Sequence, residues 1–220
     1  MPAVEVDVEA GDLHIDDGGW EPRTLSNGKR LLVKNGVFMR PSFNRRPPDL
    51  PAPLSHQDEV RAHIGDAVEQ GQGVLIDFEV VDRDGFRVMR TVAKKRAEGR
   101  ANAFLGALQI HFAPCWWLFQ LEAIEAGTTG LREAAVFIMM RQEDENAWPL
   151  QDLGRIESMD ALPPAGPPAK LPSDDPRWDD RFPDHPLSRV RRAQRDLIAS
   201  MSISDRAAAL PPFIGPRPGA

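Results

Sequence analysis

Apolar and polar positions alternate through the middle of the chain. With residues 113–116 as a loop, Phe112 is expected to oppose Trp117, Ile110 Phe119, Leu108 Leu121 and Gly106 Ala123, because side chains alternate faces along a strand and opposed pairs share one. That face is wholly apolar. The other carries His111 opposite Leu118, Gln109 opposite Gln120 and Ala107 opposite Glu122, a wetter side. Upstream, an Asp84-Gly85 turn sets Glu79 against Arg90 and Val81 against Val88, a charge pair beside an apolar pair. Val74, Ile76, Phe78 and Val80 then make one continuous apolar face, and Leu75, Asp77, Glu79 and Val81 a mixed one. Residues 74–124 therefore read as a four-strand antiparallel meander. An earlier hairpin is expected from 30–33 and 37–39 around Asn35-Gly36, and Val4, Val6 and Val8 mark a half-buried strand before it.

The period changes to that of a helix in three places. Val60, Ile64, Ala67 and Val68 predict a helix over 56–70, opened by Ser55 with Asp58 and closed by Gly71. Leu131, Ala134, Ala135 and Ile138 predict one over 130–142, placed to cover the apolar face of the meander. Leu187, Val190, Leu197, Ile198 and Met201 form an incomplete stripe in a third helix opened by Asp184 and Pro186, with Arg189, Arg191, Arg192 and Arg195 assigned to its other faces. Ser204 caps a last short turn.

Proline divides the chain. Five prolines make 41–53 an extended connector, and 13 of the 21 lie beyond Glu143. The organisation expected is an α+β sheet domain over 1–145, a proline-rich linker over 146–185 and a helical arm over 186–220. The arm cannot bury its own stripe, so it must dock on its own domain or on a partner.

Composition narrows the functional classes. A net charge of −6 and a pI of 5.4 argue against nucleic acid, which needs a basic face. The acidic N-terminus lacks a secretory pattern and no run of about 18 apolar residues exists, so no membrane span and a cytoplasmic location are expected. The single Cys115 excludes an internal disulfide framework.

Candidate chemistry is sparse. The histidines at 14, 56, 63, 111 and 185 show no metal-binding spacing, so a metal site would have to be assembled from scattered loops; neither metal nor cofactor is expected. His111 with Cys115 and Glu122 would make a nucleophile site if they met; a surface histidine beside a small buried cysteine explains the same residues more simply. Glu122, Glu125 and Glu133 are a carboxylate group or a solvated rim. Trp116 points away from the core, as an anchor for a ligand or as packing under the arm. The speculative binding set is thus Trp116, His111 and Glu122, with no catalytic residue. The arginines of 189–195 sit among aspartates and read as a paired or solvated face.

The order of elements over 30–142 and the stretch EAIEAGTTGLREAAV at 122–136 resemble the α+β sandwich of the PsbP-like superfamily, which includes the Mog-type and DcrB-like proteins. That resemblance implies a mostly non-enzymatic binding role, including accessory subunits and secretion-effector chaperones. It transfers no functional residue. Three functions follow as expectations. The first is a binding or assembly protein whose arm engages its own domain, another protein or a second copy. The second is a small-molecule enzyme or binder with a pocket between helix and sheet. The third is an immunity or antitoxin-like inhibitor whose acidic surface meets a basic target.

Overall fold

The computed structural model describes residues 8–16, 18–25, 30–97, 101–127, 129–143 and 168–216. The expected strand at 4–8 and most of the proline-rich linker lie outside them. The fold is α+β. Seven antiparallel strands, β2 (Glu21–Thr24), β3 (Arg30–Lys34), β4 (Val37–Asn44), β5 (Gly73–Arg83), β6 (Phe86–Arg96), β7 (Asn102–His111) and β8 (Trp116–Ile124), run in the order β2-β3-β4-β8-β7-β6-β5. A two-residue β1 (Leu13–His14) pairs with β9 (Ser202–Ile203) near the end of the chain. Both two-residue turns place their central residues at positive φ, Asn35 and Gly36 at 50° and 70°, Asp84 and Gly85 at 41° and 89°. That conformation matches the twist of hairpin strands, and the β5/β6 register is the expected one, with Glu79 opposite Arg90 and Val81 opposite Val88.

Four details differ from the alternation pattern. In the β7/β8 hairpin Ile110 opposes Trp117, Leu108 Phe119 and Gly106 Leu121, while His111 opposes Trp116. The apolar face survives, but every pair is displaced because the turn closes tightly over Ala113-Pro114, with Phe112 N–H donating to Cys115 O; Phe112 also bridges Pro212. In β5 a bulge between Leu75 and Asp77 breaks the continuous face; Ile76 joins one core cluster, whereas Phe78 and Val80 pack with another. Pro41, expected in a connector, lies inside β4 opposite Phe119, beyond the last residue that pairs with β3. The first helix, α1 (Gln57–Gln70), starts from His56 without a side-chain cap, not from Ser55.

The larger correction concerns which helix covers the sheet. The second helix, α2 (Leu131–Glu143), does not. Its predicted stripe is largely exposed, Leu131 at 63% and Ile138 at 55%, and Val136 packs instead with Trp178 from two 3-10 turns, Pro172–Asp174 and Pro176–Trp178. The sheet is covered by α3 (Pro186–Ser200), whose Leu187, Val190 and Leu197, with Met201 just beyond, share one core with Val92, Phe104, Leu108, Ile110 and Trp117. Gly106 lets it approach, since a Cβ there would lie 2.8 Å from Val190 Cγ1. Ser204 caps α4 (Asp205–Ala208) as expected.

The buried stripe of α3 includes Arg191 and Gln194, 1% and 0% exposed, so Arg191 is not on a solvated face. Arg191 grips Asp77 of β5 with Nε and Nη2 at 2.7 and 3.0 Å, and donates to Asp179 Oδ1 and Asp174 O. Arg132 of α2 donates to the same Asp179 oxygen, to Ser188 and to Ser173 O, and Lys94 of β6 meets Asp174 at 2.6 Å. Three cations and three carboxylates thus clamp α2, the 3-10 turns and α3 to the sheet. Such a buried set is tolerated only when each charge is paired.

Candidate functional site

With α3 on one face, the other face of the sheet is only partly covered among the described residues. The opposite face of β5 and β6 lies under α1, where Val60 and Ile64 pack on Phe78, Val80 and Met89 together with Leu50 and Leu54 of the connector. The rest is a trough of about 530 Å³ floored by Ala93, Leu105, Ala107 and Gln120, walled by Val68 of α1 on one side and by Leu25 and Leu31 on the other. Leu25, Phe38 and Ile124 stand at its margins 39%, 41% and 40% exposed. Arg40, Lys95 and Glu122 set both signs of charge among them. Alternation explains the trough: Leu105 and Ala107 of β7 point away from α3 because Phe104, Gly106 and Leu108 point toward it.

The three residues of the expected binding set are divided. His111 and Trp116 face each other across the β7/β8 ladder with ring centroids 6.0 Å apart, and Phe213 of the C-terminal segment closes on His111 at 6.4 Å. Glu122 lies on the same face of β8 but six residues from Trp116, roughly 20 Å away at the rise of a strand. It belongs to the trough and they do not. His111 is buried, with Nε2 3.0 Å from Gln109 Oε1, and lines a second cleft of about 420 Å³ with Leu54, Phe86 and Phe213. Cys115 sits in the core cluster beneath α3, where burial pushes its thiol up to about 11 and keeps it a thiol rather than a nucleophile.

Burial lowers the His111 pKa to about 4. The unfolded chain, with an ordinary histidine near 6.5, therefore binds the extra proton first as pH falls, so the contribution of a neutral His111 is complete above pH 6.5 and is lost between there and 4. Replacing His111→Phe is expected to reduce the fall in unfolding free energy between pH 7.0 and pH 4.5 by about 2 kcal/mol, read from urea denaturation at the two values. Equal slopes for the two proteins would show that His111 titrates in the folded state as it does in the unfolded one.

A third arrangement was invisible in the spacing. Glu125, Glu133 and His185 converge from the end of β8, the first turn of α2 and the residue before α3, each with one donor atom within 4.8 Å of the others. Glu125 Oε2 accepts the N–H of Asn102 at 2.8 Å, while its Oε1 lies 3.5 Å from both Gly130 N and His185 Nε2. Burial alone would raise the Glu125 carboxyl; the nearby His185 ring and the backbone N–H groups of Asn102 and Gly130 outweigh it and the pKa is lowered. Glu133 Oε2 and His185 Nε2 are enclosed with no hydrogen-bond partner. Glu125 and Glu133 had the look of a rim around a loop, and no periodicity links them to a histidine about fifty residues on.

Among the described residues no helix is long and apolar enough to cross a membrane. No family model matches this chain, and no curated protein matches it.

Proposed function

We propose that this chain is a non-enzymatic binding protein whose open sheet face, the trough between α1 and the β2/β3 edge, receives an apolar segment of a partner protein. One observation carries the reading: Leu25, Phe38 and Ile124 are exposed together around an apolar trough, and such patches on a folded chain mark interaction surfaces. A site for a small molecule encloses most of its ligand; this trough is open among the described residues, its margins apolar and its charges of both signs, as suits an amphipathic peptide. The arm is a poorer candidate, because its apolar stripe is used up on the chain's own sheet. The element order that resembles the PsbP-like sandwich points to the same class, a binding or accessory role.

The full chain is expected to bind the apolar dye bis-ANS saturably, one per chain, and Ala107→Trp, which fills the floor of the trough, to abolish that binding with little change in melting temperature. Absence of saturable binding, or indifference to Ala107→Trp, would sink the reading. Light scattering on the same samples decides the occupant: a monomer leaves the trough for another protein, whereas a dimer that Ala107→Trp dissociates assigns it to a second copy.

A further inference from the structure

We infer that Glu125, Glu133 and His185 form a binding site for a first-row divalent cation of the zinc class. The three donor atoms stand within 4.8 Å of one another, one carboxylate from each of two elements and one imidazole from a third. The Glu125 carboxylate is 5% exposed and the His185 ring 11%. Two carboxylates drawn together in so enclosed a place repel each other unless a positive group lies between them. Among the described residues, two nearby cations are engaged elsewhere. Lys94, on the nearby wall, is spent on Asp174, and Arg132, the neighbour of Glu133 in α2, is spent on Asp179 and Ser188. His185 Nε2, 3.5 Å from Glu125 Oε1, is too far for a good hydrogen bond, and Glu133 Oε2 has none.

The donor set selects the metal. Two carboxylate oxygens and one imidazole nitrogen leave a fourth position for water, the pattern of an open zinc-type site, whereas calcium asks for six to eight oxygens. The N–H of Asn102 on Glu125 Oε2 holds that carboxylate so that Oε1 faces the other two ligands, an outer hydrogen bond of the kind metal sites use. A cleft of about 210 Å³ lined by Glu133, Gly130 and Thr129 gives a way in.

One feature opposes the metal and makes the site distinctive. His185 Nδ1 accepts the N–H of Leu187 at 3.2 Å and so caps α3, which leaves the ring proton on Nε2. Coordination at Nε2 moves that proton to Nδ1 and breaks the cap. Losing one cap weakens binding by about tenfold, small beside the affinity of a three-ligand site for zinc. Metal occupancy and the cap on α3 are therefore alternatives, and filling the site releases the Leu187 amide.

The test is titration of the chelator-treated full chain with zinc chloride at pH 7.4 by calorimetry, with the Leu187 amide followed by NMR. One zinc per chain at micromolar or tighter dissociation constant is expected, with a shift of the Leu187 resonance. Glu133→Gln should weaken binding at least tenfold, as should His185→Asn, which keeps an N-cap oxygen and so the helix. Wild-type binding weaker than about 100 μM, binding unchanged in both variants, or an unmoved Leu187 amide would each overturn the assignment.

Discussion

A chain ended at residue 145 is expected not to fold. Its sheet would lose Leu187, Val190, Leu197 and Met201, all at or below 1% exposed, from the face that carries Phe104, Leu108 and Trp117. At about 1.5–3 kcal/mol for each fully buried side chain of this size, the four contribute roughly 6–12 kcal/mol, as much as the whole stability of an ordinary domain. Asp77 and Lys94 would also lose their partners Arg191 and Asp174. Urea denaturation followed by circular dichroism should show a cooperative transition for the full chain and none for the truncation. A cooperative transition in the short chain would mean that some other element covers this face.

Arg191→Met should cost about 3–5 kcal/mol, because it leaves Asp77 without its cation in a largely enclosed site and Asp179 with Arg132 alone. The methionine keeps most of the buried stem, so the loss reports on charge rather than on a hole. Adding Asp77→Asn to Arg191→Met should recover part of that loss, since it removes the stranded charge. Urea midpoints of the wild type, the two single variants and the double variant complete the cycle. A neutral single variant would mean that water already reaches these carboxylates.

The strands were legible because their signals are local. Asn35-Gly36 and Asp84-Gly85 demand particular turns, and once a two-residue turn is set the register of β5 and β6 follows. The β7/β8 register was missed because the turn is shorter than the 113–116 loop expected: Phe112 N–H bonds Cys115 O across Ala113-Pro114, and neither residue carries the Asn-Gly or Asp-Gly signal of the other hairpins. The covering helix was missed for a different reason. The stripe of α3 looked incomplete because two of its positions hold Arg191 and Gln194, and a charged residue reads as solvent-facing until its buried partners are known. In α2 the same error ran the other way, since Arg132 is buried and Leu131 exposed. Of the candidate residues, Glu122 was placed on the open face by simple alternation. The convergence of Glu125, Glu133 and His185 needed the path of the chain after α2, which no pattern within either segment encodes.

The late position of α3 also bears on how the chain comes off the ribosome. The last strand of the sheet ends at Ile124 and the helix that covers it begins at Pro186, about sixty residues later. At synthesis rates of about 5–20 residues per second, several seconds pass in which β7 and β8 can pair while Phe104, Leu108 and Trp117 have no cover. The nascent chain therefore presents its stickiest surface just when it cannot yet hide it, and its yield in the cell depends on what shields that face during the interval.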